Sequence, residues 1–301
     1  MIEVVDPGRW TTIQDRGRPG LERFGIPSGG AADWFAAAVA NRLVGNDQDA
    51  TLLECTAAGP TLRFEADAVV ALTGGQSGGV ANWQAVSIAR GSSLAVGAIA
   101  PGLRTYIAVR GGIDVPLVLG SRSFSQRGAF GGGFGRALAK GDGLAIGRMV
   151  ELEAIATPWP ESHRLPARGP WEVCVIAGPQ QDAFSTDALQ RLGATACRVT
   201  PDIDRMGLRV ETPGLRLQAK EILTVPMTAG AIQVTPSGGL IVLHVDHQST
   251  GGYPVIATVI RADLPLLAQA RPGDTVRFRS VDQVAAARAW RRLTGWLELN
   301  Q

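Results

Sequence analysis

The segment Gln248-Ser249-Thr250-Gly251-Gly252-Tyr253-Pro254 brings together groups that can recognise a small polar molecule. Gln248 carries an amide, which can pair with another amide through one donor and one acceptor, and Thr250 and Tyr253 carry hydroxyls. Two consecutive glycines, Gly251 and Gly252, allow neighbouring backbone N–H groups to turn towards one point, and such nests bind carboxylates, phosphates or oxyanions. The same residues are common turn formers, so a plain hairpin turn is the alternative interpretation.

Arginines next to turn residues are a second source of binding chemistry. In Asp204-Arg205-Met206-Gly207 the guanidinium of Arg205 offers a planar fork suited to a carboxylate or phosphate. The alternative is a surface ion pair, which contributes little to stability. Arg18 raises the same question near the amino terminus. In Ser28-Gly29-Gly30-Ala31-Ala32-Asp33 the hydroxyl–glycine pattern recurs, and the alternative there is a helix start capped by Ser28 or Asp33.

Two further patterns suggest catalysis or metal binding, and both have a simpler interpretation. Gly75-Gln76-Ser77-Gly78-Gly79 matches a hydrolase nucleophile elbow, which needs a strand before the serine and a helix after it. Residues 80–96 instead favour further strand, so we expect a tight turn. In His244-Val245-Asp246-His247, a strand would place His244 and Asp246 on one face and His247 on the other. We therefore predict no metal site.

Composition and motifs exclude several classes of protein. The 301 residues carry a net charge of +2 and contain three cysteines. Such a small charge argues against a nucleic-acid groove, and an odd, widely spaced cysteine set is not a disulfide framework. Neither lysine, Lys140 or Lys220, lies in a P-loop, and no Gly-x-Gly-x-x-Gly follows a strand. The sequence shows no signal peptide and no apolar run of the ~18 residues that a membrane span needs, so we expect a cytosolic protein.

Short strands are the elements that must position these residues. Glycine and proline are abundant, with 38 and 18 residues, which favours strands and turns over long helices. Apolar or alternating runs bounded by turn residues predict strands at 68–72, 106–109, 171–176, 241–245 and 275–279. Helical periodicity predicts helices over 31–43, 181–192 and 281–297, the last with Val284, Ala287 and Trp290 on its apolar side.

The two halves of the chain have a similar layout, which predicts two β-rich subdomains. Each half ends with a polar turn that leads into a strand, Lys140-Gly141-Asp142-Gly143 in the first and Arg271-Pro272-Gly273-Asp274 in the second. A proline-rich stretch over 156–170 is the expected boundary. We predict an N-terminal subdomain over residues 1–160 and a C-terminal subdomain with a terminal helix over residues 170–301.

These segments in combination resemble the biotin-dependent carboxyltransferase family, which includes the C-subunit of the bacterial ATP-dependent 5-oxoprolinase and the carboxyltransferase part of urea carboxylase. The family was formerly labelled allophanate hydrolase subunit 2. The resemblance runs from about residue 9 to residue 280. It rests on six stretches: Thr11–Gly20, Leu43–Asn46, Gly111–Pro116, Leu119–Ser123, Asp204–Gly207 and Gln248–Pro254.

The resemblance implies a mostly β fold with a few helices, built as two cyclophilin-like β-barrel subdomains. It also implies an amide hydrolase that works in a 5-oxoprolinase complex with a cyclophilin-like B-subunit and with an A-subunit. The complex would use ATP to open 5-oxo-L-proline to L-glutamate, and this subunit alone would be inactive. Two alternatives stay open: carboxyl transfer from carboxybiotin to urea or a similar amide, and a non-catalytic regulatory partner of a kinase inhibitor. Neither lysine lies in a biotin-attachment context, so we expect no covalently bound biotin.

We predict that the amide substrate is bound by the segment described first. Gln248, Tyr253 and Arg205 are the expected catalytic residues, because they can pair with the amide, supply a phenol and take a carboxylate. Thr250, Gly251 and Gly252 are expected to bind substrate, and the glycine N–H groups to hold a developing oxyanion. Asp246, Asp33 and Arg18 complete the expected substrate-binding set.

Overall fold

The computed structural model describes residues 1–148, 155, 157–212 and 222–298. They belong to two compact units, of which the first comprises Met1–Arg18, Gly29–Ala167 and Leu297–Gln301, and the second Pro19–Ser28 and Arg168–Trp296. The described residues form nineteen strands and four α-helices. The prediction of a mostly β chain with a few helices is confirmed.

Ten strands and one helix build the first unit. In chain order the strands are β1 (Ile2–Asp6), β2 (Thr11–Gln14), β3 (Leu52–Thr56), β4 (Ala58–Phe64), β5 (Ala68–Gly74), β6 (Ala85–Ile88), β7 (Ser93–Ala98), β8 (Arg104–Val109), β9 (Ile113–Asp114) and β10 (Gly143–Ile146). They form two five-stranded sheets, with the orders β7-β4-β1-β10-β9 and β2-β3-β8-β5-β6. The predicted strands at 68–72 and 106–109 are present as β5 and β8.

The helix of this unit, α1 (Trp34–Leu43), packs against β5 and β8. It begins after Asp33, whose carboxylate accepts a hydrogen bond from the Ala36 N–H at 2.9 Å and so caps the helix. This cap explains why the helix begins three residues later than predicted. It ends before Gly45, which has the left-handed conformation expected there (φ 74°).

The second unit is built on a closed barrel. Its strands are β11 (Trp171–Ala177), β12 (Cys197–Ile203), β13 (Gly207–Glu211), β14 (Val225–Pro226), β15 (Ala231–Val234), β16 (Leu240–Leu243), β17 (Thr250–Gly251), β18 (Val255–Val259) and β19 (Thr275–Ser280). Seven of them close in the order β11-β18-β15-β16-β13-β12-β19, and the parallel pairing of β19 with β11 completes the ring. Val173, Val175, Ile232 and Val242 are fully buried. The remaining strands, β14 and β17, form a separate two-stranded ribbon.

Three helices accompany the barrel, and they differ from the sequence prediction. The segment predicted as one helix over 181–192 splits into a 3₁₀ turn and α2 (Ala188–Ala194), since Phe184 is extended and the Ser185 hydroxyl donates to Asp187. α3 (Leu264–Gln269) is not predicted, because five of its six residues are buried and show no periodicity. In α4 (Gln283–Glu298) the predicted apolar side is wrong, since Val284 is 62% exposed whereas Leu293 and Leu297 are buried.

The repeated polar turns have matching geometry in the two units. In the first unit the Asp142 carboxylate accepts from the Ala139 N–H at 2.7 Å, and Gly141 has φ 87°. In the second unit the Asp274 carboxylate accepts from the Arg271 N–H at 2.9 Å, and Gly273 has φ 91°. The aspartate therefore closes the same four-residue turn in each.

Candidate functional site

Apart from Arg205, which lies between β12 and β13, the predicted site residues of the second unit follow strand β16. This strand ends at Leu243, and residues 244–249 form a turn that leads to Thr250 and Gly251 in β17. The prediction of a strand through Val245 is therefore wrong. The prediction that His244 and His247 lie on opposite faces of that strand is wrong with it. The turn is held to a neighbouring segment, because the N–H groups of His244 and Asp246 donate to the carbonyls of Met206 and Arg205, each at 2.9 Å.

A buried ion pair links Arg205 to Asp246. The Arg205 Nε donates to Oδ2 of Asp246 at 2.8 Å and Nη2 donates to Oδ1 at 3.2 Å, so the two planar groups meet side by side. Both side chains are 5% exposed. The protein's own carboxylate thus occupies the fork that we expected to take a substrate carboxylate. Removing Arg205 would leave Asp246 as a buried unpaired charge, so its side chain supports the fold as well as the turn.

Gln248 belongs to a chain of two amides. Its Nε2 donates to Oε1 of Gln233 at 3.4 Å, and Nε2 of Gln233 donates to the carbonyl oxygen of Tyr253 at 3.3 Å. Gln233 is 1% exposed and also lies 3.5 Å from the sulfur of Met227. Sequence reasoning missed this residue. The available signal was a single polar residue inside the fully buried strand Ala231-Ile232-Gln233-Val234.

Gly251 and Gly252 do not form the predicted nest. Neither has a positive φ, and Gly251 is paired with Val225 in the ribbon of β14 and β17. A nest needs alternating right- and left-handed backbone, which a strand does not provide. A larger residue at 251 would displace the Gln233 amide, because a Cβ there would lie 2.6 Å from Nε2 of Gln233. Thr250, Gly252 and Tyr253 are exposed beside this contact, with Tyr253 at 42%.

The two histidines of the turn are buried and hydrogen-bonded to backbone. Nδ1 of His247 lies 2.7 Å from the Gln248 carbonyl, which can only accept, so this nitrogen carries a proton. Nδ1 of His244 accepts from the Val245 N–H at 2.9 Å. Within the described part of the chain, no group of three or more His, Cys, Asp or Glu side chains is arranged to hold a metal ion.

Arg18 and Asp33, the other two predicted binding residues, lie in the first unit. Both are buried at 3% exposure. Nη2 of Arg18 donates to the Ser123 carbonyl at 2.5 Å, and its guanidinium stacks over the ring of Phe130 at 5.0 Å. Asp33 caps α1, and its N–H donates to the hydroxyl oxygen of Tyr106 at 2.7 Å. Within their own unit, both residues therefore make contacts that support the local fold.

Two other stretches of the first unit that carry the resemblance meet around Asp15. Its Oδ1 accepts from the hydroxyls of Ser121 and Ser123 at 2.6 and 2.5 Å and from the Gly17 N–H at 2.8 Å, and its Oδ2 accepts from the Arg122 N–H at 2.6 Å. A carboxylate that accepts four hydrogen bonds organises the loop that carries the serines.

A buried phenol of the same unit has a perturbed pKa. Tyr106 donates to Glu54 at 3.0 Å, and both side chains are almost completely buried. Burial, followed by the charge of Glu54, raises the pKa of this phenol well above its ordinary value. Tyr106 therefore keeps its proton at neutral pH and acts as a hydrogen-bond donor inside the unit.

The Gly-x-Ser-x-Gly match is not a nucleophile elbow. Ser77 is followed by the strands β6 and β7, as expected, and not by a helix. Its hydroxyl lies 3.1 Å from the side-chain amide of Asn82. An amide is not a base, so this contact does not activate the serine as a nucleophile.

Comparison with known proteins assigns the family. Residues 24–280 match the model of the carboxyltransferase domain, subdomains A and B. The chain belongs to this family. It is 35% identical to the C-subunit of Escherichia coli 5-oxoprolinase over 92% of this chain and 90% of that protein, and 34% identical to the C-subunit of Haemophilus influenzae 5-oxoprolinase over 97% and 95%.

Larger proteins contain a related region. Urea amidolyase of Lachancea kluyveri is 32% identical over 92% of this chain, which spans 17% of that protein. The crystal structure of Kluyveromyces lactis urea carboxylase superposes on the whole chain with a TM-score of 0.93 at 29% identity, and this chain spans 29% of it. The carboxyltransferase resemblance and the fold are therefore confirmed.

Among the described residues, the helices are too short or too polar to cross a membrane.

Proposed function

We propose that this chain is the C-subunit of an ATP-dependent 5-oxoprolinase, acting in a complex with a B-subunit and an A-subunit to open 5-oxo-L-proline to L-glutamate. The observation that carries the proposal is the 35% identity to a 5-oxoprolinase C-subunit over 90% of that protein's length. The urea amidolyase that this chain resembles at 32% identity is matched over only 17% of its length.

The exposed polar groups around Gln248 suit a lactam substrate. A lactam presents one N–H donor and one carbonyl acceptor in one plane, and a glutamine amide can meet both. Gln233 holds Gln248 from behind, while Tyr253 and Thr250 add hydroxyls at the exposed side. The Arg205–Asp246 pair fixes the turn that carries Gln248. These residues bind and orient the ring for the reaction.

ATP has a clear use in the proposed reaction, because a lactam carbonyl is a poor electrophile. Transfer of the γ-phosphoryl group of ATP to the carbonyl oxygen, with release of ADP, would make the carbon a better electrophile. Addition of one water and cleavage of the C–N bond would then give an acyl phosphate with a free amine, and a second water would hydrolyse the acyl phosphate to glutamate and phosphate. Neither lysine of the chain lies in a phosphate-binding motif, so this chain alone is expected to be inactive.

Reconstitution from the three separately purified proteins tests the proposal. Together they should convert 5-oxo-L-proline to glutamate with release of ADP, and omission of any one of them should abolish glutamate formation. Full turnover by this chain alone, or by the A- and B-subunits without it, contradicts the proposed role.

Carboxyl transfer is the second candidate, favoured by the TM-score of 0.93 to a urea carboxylase. It requires a biotin carrier, and Lys140 lies between Ala139 and Gly141, unlike a biotin-attachment lysine. Lys220, between Ala219 and Glu221, lies outside the described residues. Protein produced together with a biotin ligase should give a blank streptavidin blot. A band lost on substituting either lysine, or carboxylation of urea by a separate carboxybiotin carrier plus this chain, would favour the second candidate.

A further inference from the structure

A polar cleft of about 820 Å³ lies in the first unit. Its lining includes Gln76, Ser77, Asn82, Trp83 and Arg164, and the apolar residues Val80, Pro101 and Pro166 complete the walls. The loop that gave the false nucleophile-elbow match therefore forms one side of this cleft. A cavity of this size, with apolar walls and a few converging polar groups, is typical of small-molecule sites.

Ser77 can direct its hydroxyl proton into the cleft. The Asn82 amide satisfies the most partners when its nitrogen donates to the Val80 carbonyl at 3.2 Å and to Oγ of Ser77 at 3.1 Å, and its oxygen accepts from the Ser77 N–H at 3.0 Å. In this arrangement Oγ of Ser77 already accepts a hydrogen bond. Its own proton therefore remains available as a donor, on a side chain that is 5% exposed and fixed in place.

Arg164 supplies positive charge to the same cleft. Its Nε and Nη2 both donate to the carbonyl oxygen of Trp159, at 3.0 and 2.6 Å, and its guanidinium stacks over the Trp83 ring at 5.5 Å. These two partners, a carbonyl and a ring, orient the cation and carry no net charge of their own. Burial lowers the pKa of Arg164, against the opposing effect of Glu161 at the rim, and a carboxylate ligand would offset this desolvation cost.

Trp83 is held in a rare backbone conformation that places its ring in the cleft wall. It has φ 63°, a left-handed value that is unusual for a bulky residue. Its N–H donates to the Leu72 carbonyl at 2.6 Å, and its carbonyl accepts from the Trp159 N–H at 2.7 Å. The fold thus maintains a strained residue where an aromatic wall faces a cation.

We propose that this cleft binds a small monocarboxylate with a flat, apolar body. The carboxylate meets the open edge of the Arg164 guanidinium and the Ser77 hydroxyl, and the body packs between Trp83 and the proline walls. This site is independent of the proposed oxoprolinase function, because none of its residues belongs to the cluster around Gln248.

Calorimetric titration of the full chain with benzoate, and with benzamide as its uncharged analogue, tests the proposal. Benzoate should bind at least about tenfold more tightly than benzamide, since charge-assisted hydrogen bonds are the stronger ones. Arg164→Gln should weaken benzoate binding at least about tenfold, and Ser77→Ala should weaken it by a smaller factor. Glu161→Gln, which removes a carboxylate from the lining, should strengthen it.

Two further variants locate the binding. Gly78 lines the cleft, and a Cβ there would meet no atom within 4 Å, so the fold should tolerate a larger side chain at this position, and Gly78→Leu should weaken benzoate binding more than Gly78→Ala. Arg90→Gln, which changes an exposed arginine outside the cleft, is the matched control and should bind as wild type. Circular dichroism melting confirms that each variant is folded. Equal affinity for benzoate and benzamide, or unchanged benzoate binding in folded Arg164→Gln, overturns the proposal.

Discussion

Two turns of similar sequence use their arginines in opposite ways. In the first unit Asp15-Arg16-Gly17 forms a turn in which the Asp15 carboxylate accepts from the Gly17 N–H at 2.8 Å. In the second unit the Asp204 carboxylate accepts from the Met206 and Gly207 N–H groups at 2.7 and 3.1 Å. Arg16 is 66% exposed and lies 3.6 Å from Asp49, whereas Arg205 is 5% exposed and bonded to Asp246.

The difference shows what a short motif can and cannot specify. The aspartate and glycine determine the turn, because the carboxylate satisfies local N–H groups. Whether the arginine is buried depends on a carboxylate from a distant segment, and Asp246 lies 41 residues from Arg205. The Asp204 turn therefore supports a buried charge pair beside Gln248, while the Asp15 turn organises the serine loop through its carboxylate.

The largest effect is expected when Asp246 is replaced by alanine. The variant leaves the Arg205 guanidinium buried without this carboxylate, so the free energy of unfolding should fall by about 3 kcal/mol or more. Urea denaturation followed by circular dichroism measures this change. The double variant Arg205→Met/Asp246→Leu should recover much of the loss, since it removes both charges. A single variant as stable as wild type would show that the pair is not stabilising the turn.

The aspartates of the two turns should differ in their contribution to stability. Asp15→Ala leaves two serine hydroxyls and two N–H groups without their acceptor and should cost about 2–3 kcal/mol. Asp204→Ala removes bonds within its own turn and should cost about 1 kcal/mol. Thermal melting of both variants checks the order. Equal losses of stability in the two variants would mean that the hydrogen bonds from the serine loop to Asp15 add no stability.

Gln248→Ala should separate function from stability. Turnover of the reconstituted complex should fall at least about tenfold. The melting temperature should fall only slightly, because the variant loses one long hydrogen bond, the 3.4 Å bond to Gln233. Gln48→Ala, at an exposed glutamine of the first unit, is the matched control and should change neither quantity. Normal turnover of Gln248→Ala would place substrate binding elsewhere, and a large drop in melting temperature would make Gln248 structural.

The smallest effect is expected for the exposed ion pair. Asp49→Ala should change the free energy of unfolding by less than about 0.5 kcal/mol, because Arg16 remains solvated. The same denaturation assay, at low and high salt, measures it. A loss as large as that of Asp246→Ala would remove the contrast between the two turns.

Local signals predicted much of the fold. Apolar or alternating runs bounded by turn residues predict the strands β5, β8, β11 and β19. A glycine after a helical run predicts the end of α1 at Gly45. The short helix α3 could not be found, because its residues are buried on every side and show no period. The end of β16 is not predictable either, because His244 and Val245 are compatible with a strand. The hydrogen bonds that end the strand there come from a distant segment.

The candidate site was predicted as residue types and not as contacts. The functional groups of Gln248, Thr250 and Tyr253 suggest substrate binding, and this binding stays a prediction. The pairing of Arg205 with Asp246 depends on segments that meet only in the folded barrel. Gln233, which supports Gln248 from a neighbouring strand, has no local motif that identifies it.

The parallel pairing of β11 with β19 has a consequence for synthesis on the ribosome. These strands are the first and last of the barrel along the chain, and β19 also pairs with β12. Until β19 has emerged, a nascent chain carries two unpaired strand edges that other chains can join. The barrel of the second unit therefore cannot close before β19 has been translated, and during this interval its open edges are exposed to aggregation.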